Sequence, residues 1–104
     1  MNPWILVILA GIMETGWAIG LKYSEGFTRL WPSVLTVAGA LASFWLLSLG
    51  MKTLPVGTAY AVWVGIGAVG TAIAAVILLG EPVNMLRLAG IALIVAGIAA
   101  LKFA

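Results

Sequence analysis

Glu14 is the residue of this chain whose type and position could do chemistry. It lies inside an apolar run, residues 3–21, that is long enough to cross a bilayer. An ionised side chain in the middle of such a run costs roughly 2.5–3.5 kcal/mol on insertion scales. Glu14 is also the only acidic residue inside any of the four long apolar segments. We therefore expect it to be functional, and the chemistry that suits it is binding a cation or a proton.

Polar and aromatic side chains at helical spacing accompany this acid. Trp17 follows Glu14 by three residues, and Tyr60 and Trp63 are also three apart, so each pair shares a helix face. Aromatic faces attract cations by roughly 0.5–2 kcal/mol, and indole and phenol groups can donate hydrogen bonds to a carboxylate. The alternative is that these rings belong to the interfacial aromatic belt. Trp17 fits either role, whereas Tyr60 and Trp63 lie some way into their segment, where the belt is the weaker explanation. We expect the lining of a site to comprise Trp17, Ser43, Tyr60 and Trp63.

The composition indicates that lipid is the solvent of this chain. Of its 104 residues, 64% are hydrophobic and 8% are charged, whereas a soluble domain carries roughly 25% charged residues. The net charge of +2 is too small and scattered to suggest nucleic acid. Cysteine and histidine are absent, which excludes disulfides, thiol chemistry and the usual zinc sites. With no nucleophile–base pair either, we expect no enzymatic activity, no metal and no cofactor.

Helix-breaking residues divide the chain into four spans. The apolar runs cover about residues 4–21, 32–50, 56–79 and 85–101, and each fits the roughly 20 residues that a spanning helix needs. The N-terminal run lacks the basic start of a signal peptide, so we interpret it as the first span. The sequence predicts an all-α membrane protein, with one four-helix domain over residues 1–104. Because the connections are short, consecutive helices should be antiparallel neighbours.

Glycines mark two of the predicted helices. Gly65, Gly67 and Gly70 match a dinucleotide-binding spacing, but inside a membrane span they indicate close helix packing or a flexible segment. The sequence leaves those two roles open. The fourth span carries Gly90 and Gly97 and no polar interior residue, so we expect it to form a helix contact at a dimer seam.

Basic residues are nearly balanced across the predicted membrane. Lys52, Lys102 and the terminal amine fall on one side, and Lys22, Arg29 and Arg87 fall on the other. Orientation normally follows a clear excess of basic residues on the cytoplasmic side. The charges therefore fit either one fixed topology or insertion in both orientations.

A dimer would enclose a polar site better than one chain of four short helices. Larger transporters build their sites between inverted repeats, and two oppositely inserted copies would reach the same geometry. Such a dimer would bring two Glu14 carboxylates together, where they can hold protons and release them when a cation arrives. That is the minimum machinery for proton–cation exchange.

The chain resembles the small multidrug resistance family over essentially its whole length. The resemblance rests on Glu14 with Trp17, on LKYSEGFTR at residues 21–29 and on LPVGTAYAVW at residues 54–63. Within the family, Trp17, KTLP at 52–55 and GIGA at 65–68 look most like the guanidinium exporters. The resemblance implies an antiparallel, dual-topology homodimer in the bacterial inner membrane that exports guanidinium in exchange for protons. Glu14 would then be the shared proton and substrate site, lined by the four residues named above.

Two alternatives remain open. Residues 24–33 and the sequence SFWLL at 43–47 also look like the quaternary ammonium branch of the family. The same fold could therefore export hydrophobic cations as a multidrug transporter. A non-transporting membrane subunit, in which Glu14 docks a basic partner helix, is the alternative from another class.

Overall fold

The computed structural model describes residues 2–104, which form four α-helices and no strand. All four are long and apolar enough to cross a membrane. They are α1 (Pro3–Tyr23), α2 (Leu30–Gly50), α3 (Val56–Leu79) and α4 (Met85–Lys102). The predicted all-α, four-span architecture is confirmed, and the boundaries differ from those expected by two residues at most.

The helix ends follow from the residues that flank the apolar runs. The Asn2 side chain accepts a hydrogen bond from the Trp4 N–H (2.8 Å), and the Asn84 side chain accepts one from the Arg87 N–H (2.9 Å). Both are N-caps that satisfy a free donor of the first turn. At the end of α3, Gly80 has a φ of 67°, a left-handed conformation that glycine adopts without steric cost.

The first helix lies between the second and the third. Along the α1–α2 seam, Val7 meets Gly50 and Gly20 meets Thr36, so the two helices run antiparallel. Gly11 packs against Ile66 of α3, and the contacts between α1 and α3 continue in the same chain direction. Helices α1 and α3 therefore run parallel. Helices α2 and α3 also touch, through Trp63 with Ser43 and Phe44, but they pack together much less extensively than either packs with α1.

The fourth helix lies outside this three-helix unit. It packs against α3, where Gly65 meets Ile98, and among the described residues α4 has no fully buried member. The buried core lies instead between α1, α2 and α3, around Val7, Leu47 and Val62. The chain is flat, with principal extents of 40 × 34 × 18 Å.

Candidate functional site

Glu14 packs against the backbone of α3 at Gly67. A Cβ atom built on Gly67 would overlap the carboxyl group of Glu14 and would lie 2.7 Å from its Cγ. Only glycine leaves room for this contact, which is a close approach of side chain to backbone. The Glu14 side chain is half-buried, and its buried Oε2 has no hydrogen-bond partner among residues 2–104. The helices thus hold a carboxylate with an unused acceptor.

No basic side chain of the described residues neutralises Glu14. The one ion pair within residues 2–104 joins Arg87 to Glu81 (3.0 Å), and it lies in the exposed α3–α4 connection. Lys102 lies over the ring of Trp4, 4.6 Å from its centroid, at the other end of the helices. A buried carboxylate without a counter-ion is costly in lipid, so a mobile cation or a proton is the partner that the geometry leaves open.

Ser43 ties three helices together next to this acid. Its hydroxyl, which is fully buried, donates to the carbonyl of Ala10 on α1 (2.7 Å) and accepts from Trp63 Nε1 on α3 (2.9 Å). Glu14 lies one helical turn beyond Ala10, and Gly67 lies one turn beyond Trp63. The Ser43 link therefore fixes the Trp63 ring about one turn away from the carboxyl.

Four aromatic rings form a continuous cluster across α1, α2 and α3. Phe44 meets Trp17 edge-on with centroids 6.2 Å apart and meets Trp63 at 5.6 Å. Tyr60 follows at 5.4 Å from Trp63. Edge-on packing of this kind is favourable, and the cluster begins at Trp17, which lies about one helical turn from Glu14 on α1. Tyr60 is more than half exposed, so the cluster opens outward at that end.

Phe44 is a residue that the sequence alone did not assign to the site. It follows Ser43 directly, so it points about 100° around α2 from the hydroxyl, and no pairing at helical spacing marks it. Its role depends on α1 and α3 converging on this part of α2. In the sequence, the feature that could have assigned Phe44 to the site was its position next to Ser43.

The predicted lining residues come together, but their hydrogen bonds differ from those expected. Trp17, Tyr60 and Trp63 share the aromatic cluster, and Ser43 is bonded to Trp63. The sequence suggested that indole and phenol groups hold the carboxylate of Glu14. The Trp63 indole instead donates to Ser43, and the buried Nε1 of Trp17 has no partner among residues 2–104.

The glycines predicted to pack helices fall into two groups. Gly67 and Gly70 accept side chains of α1, with Thr15 lying over Gly70, and Gly65 accepts Ile98 of α4. These positions are therefore packing surfaces in this structure. Gly90 and Gly97 on α4 have no atom within 4 Å of an added Cβ among residues 2–104. Their predicted dimer contact remains a prediction, since both lie on an open face.

This arrangement suits reversible binding of a small organic cation. The acid offers an acceptor, the rings offer faces for a delocalised cation, and Glu14 and Tyr60 are both at least partly exposed. No group of acidic residues within residues 2–104 could hold a metal ion.

Comparison with known proteins shows which family this chain resembles. The family model for small multidrug resistance proteins matches residues 2–94. A guanidinium exporter of Escherichia coli K12 is 60% identical over 99 residues, which cover 95% of this chain and 94% of that protein. A guanidinium exporter of Yersinia pseudotuberculosis is 56% identical over 101 residues, 97% of each chain. One of Citrobacter freundii is 59% identical over 99 residues, with 95% and 94% covered.

Proposed function

The chain belongs to the small multidrug resistance family, and from this premise we propose that it exports guanidinium from the cell in exchange for protons. Relatives named guanidinium exporters, 56–60% identical over nearly the whole chain, support this substrate. The observation that carries the mechanism is the carboxyl of Glu14, which packs on Gly67 and is not ion paired within residues 2–104.

The chemistry of guanidinium matches what this acid offers. Guanidinium is a planar cation whose paired N–H groups fit the two oxygens of a carboxylate, and such charge-assisted bidentate bonds are among the strongest in proteins. The acceptor Oε2 of Glu14, which has no partner among residues 2–104, would take one of these donors once the carboxyl turns away from Gly67. The neighbouring Trp63 and Phe44 rings would stack with the cation or bound it. A quaternary ammonium ion has no N–H to donate and would depend on the rings alone.

The exchange follows from exclusive occupancy of one carboxylate. Ionised Glu14 binds guanidinium, and protonated Glu14 does not, because protonation removes the negative charge and one acceptor. If the protein switches the site from one side of the membrane to the other only when Glu14 holds a proton or a guanidinium ion, proton flow and guanidinium flow are coupled. A ligand drives such a change only through its different affinity for the two states.

We further propose that the working unit is an antiparallel, dual-topology homodimer. One chain is 18 Å thick in its smallest extent, and its Glu14 is only half-buried, so a second copy would be needed to enclose the substrate. The unburied face of α4, with Gly90 and Gly97, supports a helix contact there. The nearly balanced basic residues support insertion in both orientations.

Transport by purified protein in liposomes tests this proposal. A pH gradient, acidic inside, should drive guanidinium uptake by the wild type, and Glu14→Gln should abolish it because the side chain can no longer ionise. Glu81→Gln is the matched control, since Glu81 is an exposed carboxylate in the α3–α4 connection, and it should transport normally. Uphill guanidinium movement by Glu14→Gln would refute the mechanism.

The same liposomes test the choice of substrate. Guanidinium should be transported in preference to tetramethylammonium, because only guanidinium can donate to both carboxylate oxygens of Glu14. Equal or faster transport of tetramethylammonium would favour the multidrug function instead. If a second polypeptide were required for any flux, the non-transporting subunit would be the better description.

A further inference from the structure

The hydroxyl of Thr15 lies beside Glu14, in the same seam between α1 and α3. Its Oγ1 faces Gly70 so closely that a Cβ atom built on that glycine would overlap it. The carboxyl of Glu14 lies in the same way against Gly67, three residues earlier on α3. The seam therefore carries two consecutive side chains that each place an oxygen atom over a glycine of α3.

The two oxygen atoms are close enough for one small cation to contact both. Cβ positions three residues apart on a helix are separated by about 5–6 Å, and each oxygen lies against one of the two Cβ positions, at Gly67 and Gly70. Two hydrogen bonds of about 2.9 Å each, with a small ion between them, cover such a distance. Because Glu14 and Thr15 are consecutive in α1, their side chains stay close when the carboxyl turns away from Gly67.

The Thr15 hydroxyl lacks the hydrogen bond that threonine and serine usually form inside a helix. Such hydroxyls donate to a carbonyl three or four residues earlier, as Thr36 does to Pro32 (2.7 Å) and Ser48 does to Trp45 (2.6 Å). Thr15 forms no hydrogen bond through its side chain within residues 2–104. The residue is partly exposed, so its hydroxyl is left for a partner from outside the chain.

Guanidinium needs more acceptors than Glu14 supplies. The cation carries N–H donors on all three nitrogens, and a carboxylate receives only one pair of them in a bidentate contact. The hydroxyl of Ser43 is fully buried and is already bonded to Ala10 and Trp63. Donors that lose water without gaining an acceptor cost binding free energy. Thr15 offers a hydroxyl oxygen beside the acid that can still accept.

We propose that Thr15 contacts the substrate and accepts a hydrogen bond from guanidinium while Glu14 binds another edge of the same ion. This inference rests on the proposed function, because it adds a second acceptor for the same substrate. The contact selects for cations that carry several N–H groups. A hydroxyl oxygen accepts without any change of protonation, so Thr15 adds affinity and takes no part in the exchange of protons.

Calorimetry on the full-length protein in detergent, at an alkaline pH that ionises Glu14, tests this contact. Thr15→Val replaces the hydroxyl by a methyl group of similar size and should raise the Kd for guanidinium about tenfold, the usual loss for a hydrogen bond to a charged group. Thr15→Ala also lacks the hydroxyl and should show the same loss. Thr15→Ser keeps the hydroxyl and should bind close to the wild-type affinity. Thr53→Val, at an exposed threonine of the α2–α3 connection, is the control and should bind as the wild type does.

A second cation separates a hydrogen bond from a packing effect. Tetramethylammonium has no N–H, so any affinity for it should be the same in the wild type and in Thr15→Val. An equal loss for both cations would overturn the proposal, because it would indicate a general change of packing in the α1–α3 seam. Thr15→Ser losing as much guanidinium affinity as Thr15→Val would overturn it too, since the methyl group would then be the part that matters.

The remaining outcomes distinguish this inference from the function on which it rests. Wild-type affinity for guanidinium in folded Thr15→Val or Thr15→Ala would overturn the role of Thr15 alone and leave the proposed function intact. A wild type that binds no guanidinium would refute the proposed function together with this inference. Melting temperatures identify the folded variants, and two variants without the hydroxyl keep the test independent of the folding of either one.

Discussion

Replacing Gly67 by alanine should displace the Glu14 carboxyl while leaving the fold intact. The added methyl group would enter the space that the carboxyl now occupies. The atoms that must move are the far end of a flexible side chain and not backbone, so the helices can stay in place. Alanine is moreover up to about 1 kcal/mol more favourable than glycine in a helix. The expected defect is therefore in function and not in stability.

The size of the effect follows from the overlap. The new Cβ would lie 2.7 Å from Glu14 Cγ, and ordinary contact begins at 3.4 Å, so the side chain must withdraw by at least about 0.7 Å. The carboxyl atoms are closer still and must move further. A misplacement of about 1 Å in a site of this kind can cost on the order of 100-fold. We expect guanidinium transport by Gly67→Ala to fall roughly 10- to 100-fold, judged from the same relation.

The functional loss is measured as the initial rate of guanidinium uptake into liposomes. The retained stability is measured as the melting temperature in detergent. Gly57→Ala is the control, because Gly57 is also in α3 and has open space at its Cβ position. Glu14→Asp shortens the acid by one methylene and should remove the overlap. The double variant Glu14→Asp/Gly67→Ala should then transport no less than Glu14→Asp alone, a non-additivity that indicates direct contact. Gly67→Ala transporting as well as Gly57→Ala would refute the reasoning.

Three further predictions concern Ser43, Glu14 and the backbone at Phe27. Ser43→Ala should destabilise the protein by about 1–3 kcal/mol, because it leaves the buried Trp63 N–H without its acceptor. Thermal unfolding checks this against Ser48→Ala, an exposed hydroxyl, and equal melting temperatures would contradict it. Calorimetry should show guanidinium affinity falling about tenfold for each unit by which the pH is lowered, once Glu14 is mostly protonated, because one proton competes for the site. A Kd independent of pH would exclude competition. Phe27→Gly should raise the free energy of unfolding by about 1 kcal/mol, because Phe27 has a φ of 65°, and a lower melting temperature would show that its side chain packs usefully.

Much of the site was predictable as a set of residues but not as an arrangement. Glu14 stood out by charge alone, and Trp17, Tyr60 and Trp63 stood out by spacing, which depends only on the helix repeat. The contact between Glu14 and Gly67 joins residues 53 positions apart, and no local pattern reports it. Which donor meets which acceptor likewise depends on where two helices cross, so the bond from Trp63 to Ser43 was not foreseen.

The sequence by itself determined the four spans and the exceptional acid, because hydropathy, length and helix-breaking residues act within each segment whatever its neighbours are. The tertiary structure alone decided that α1 lies between α2 and α3, that α4 lies outside, and that Phe44 completes the aromatic cluster. The physical reason is the solvent. Lipid tails are as apolar as leucine, so hydrophobicity does not select which face of a membrane helix packs inward. That choice depends on small residues and on a few hydrogen bonds, which act only when the helices are already side by side.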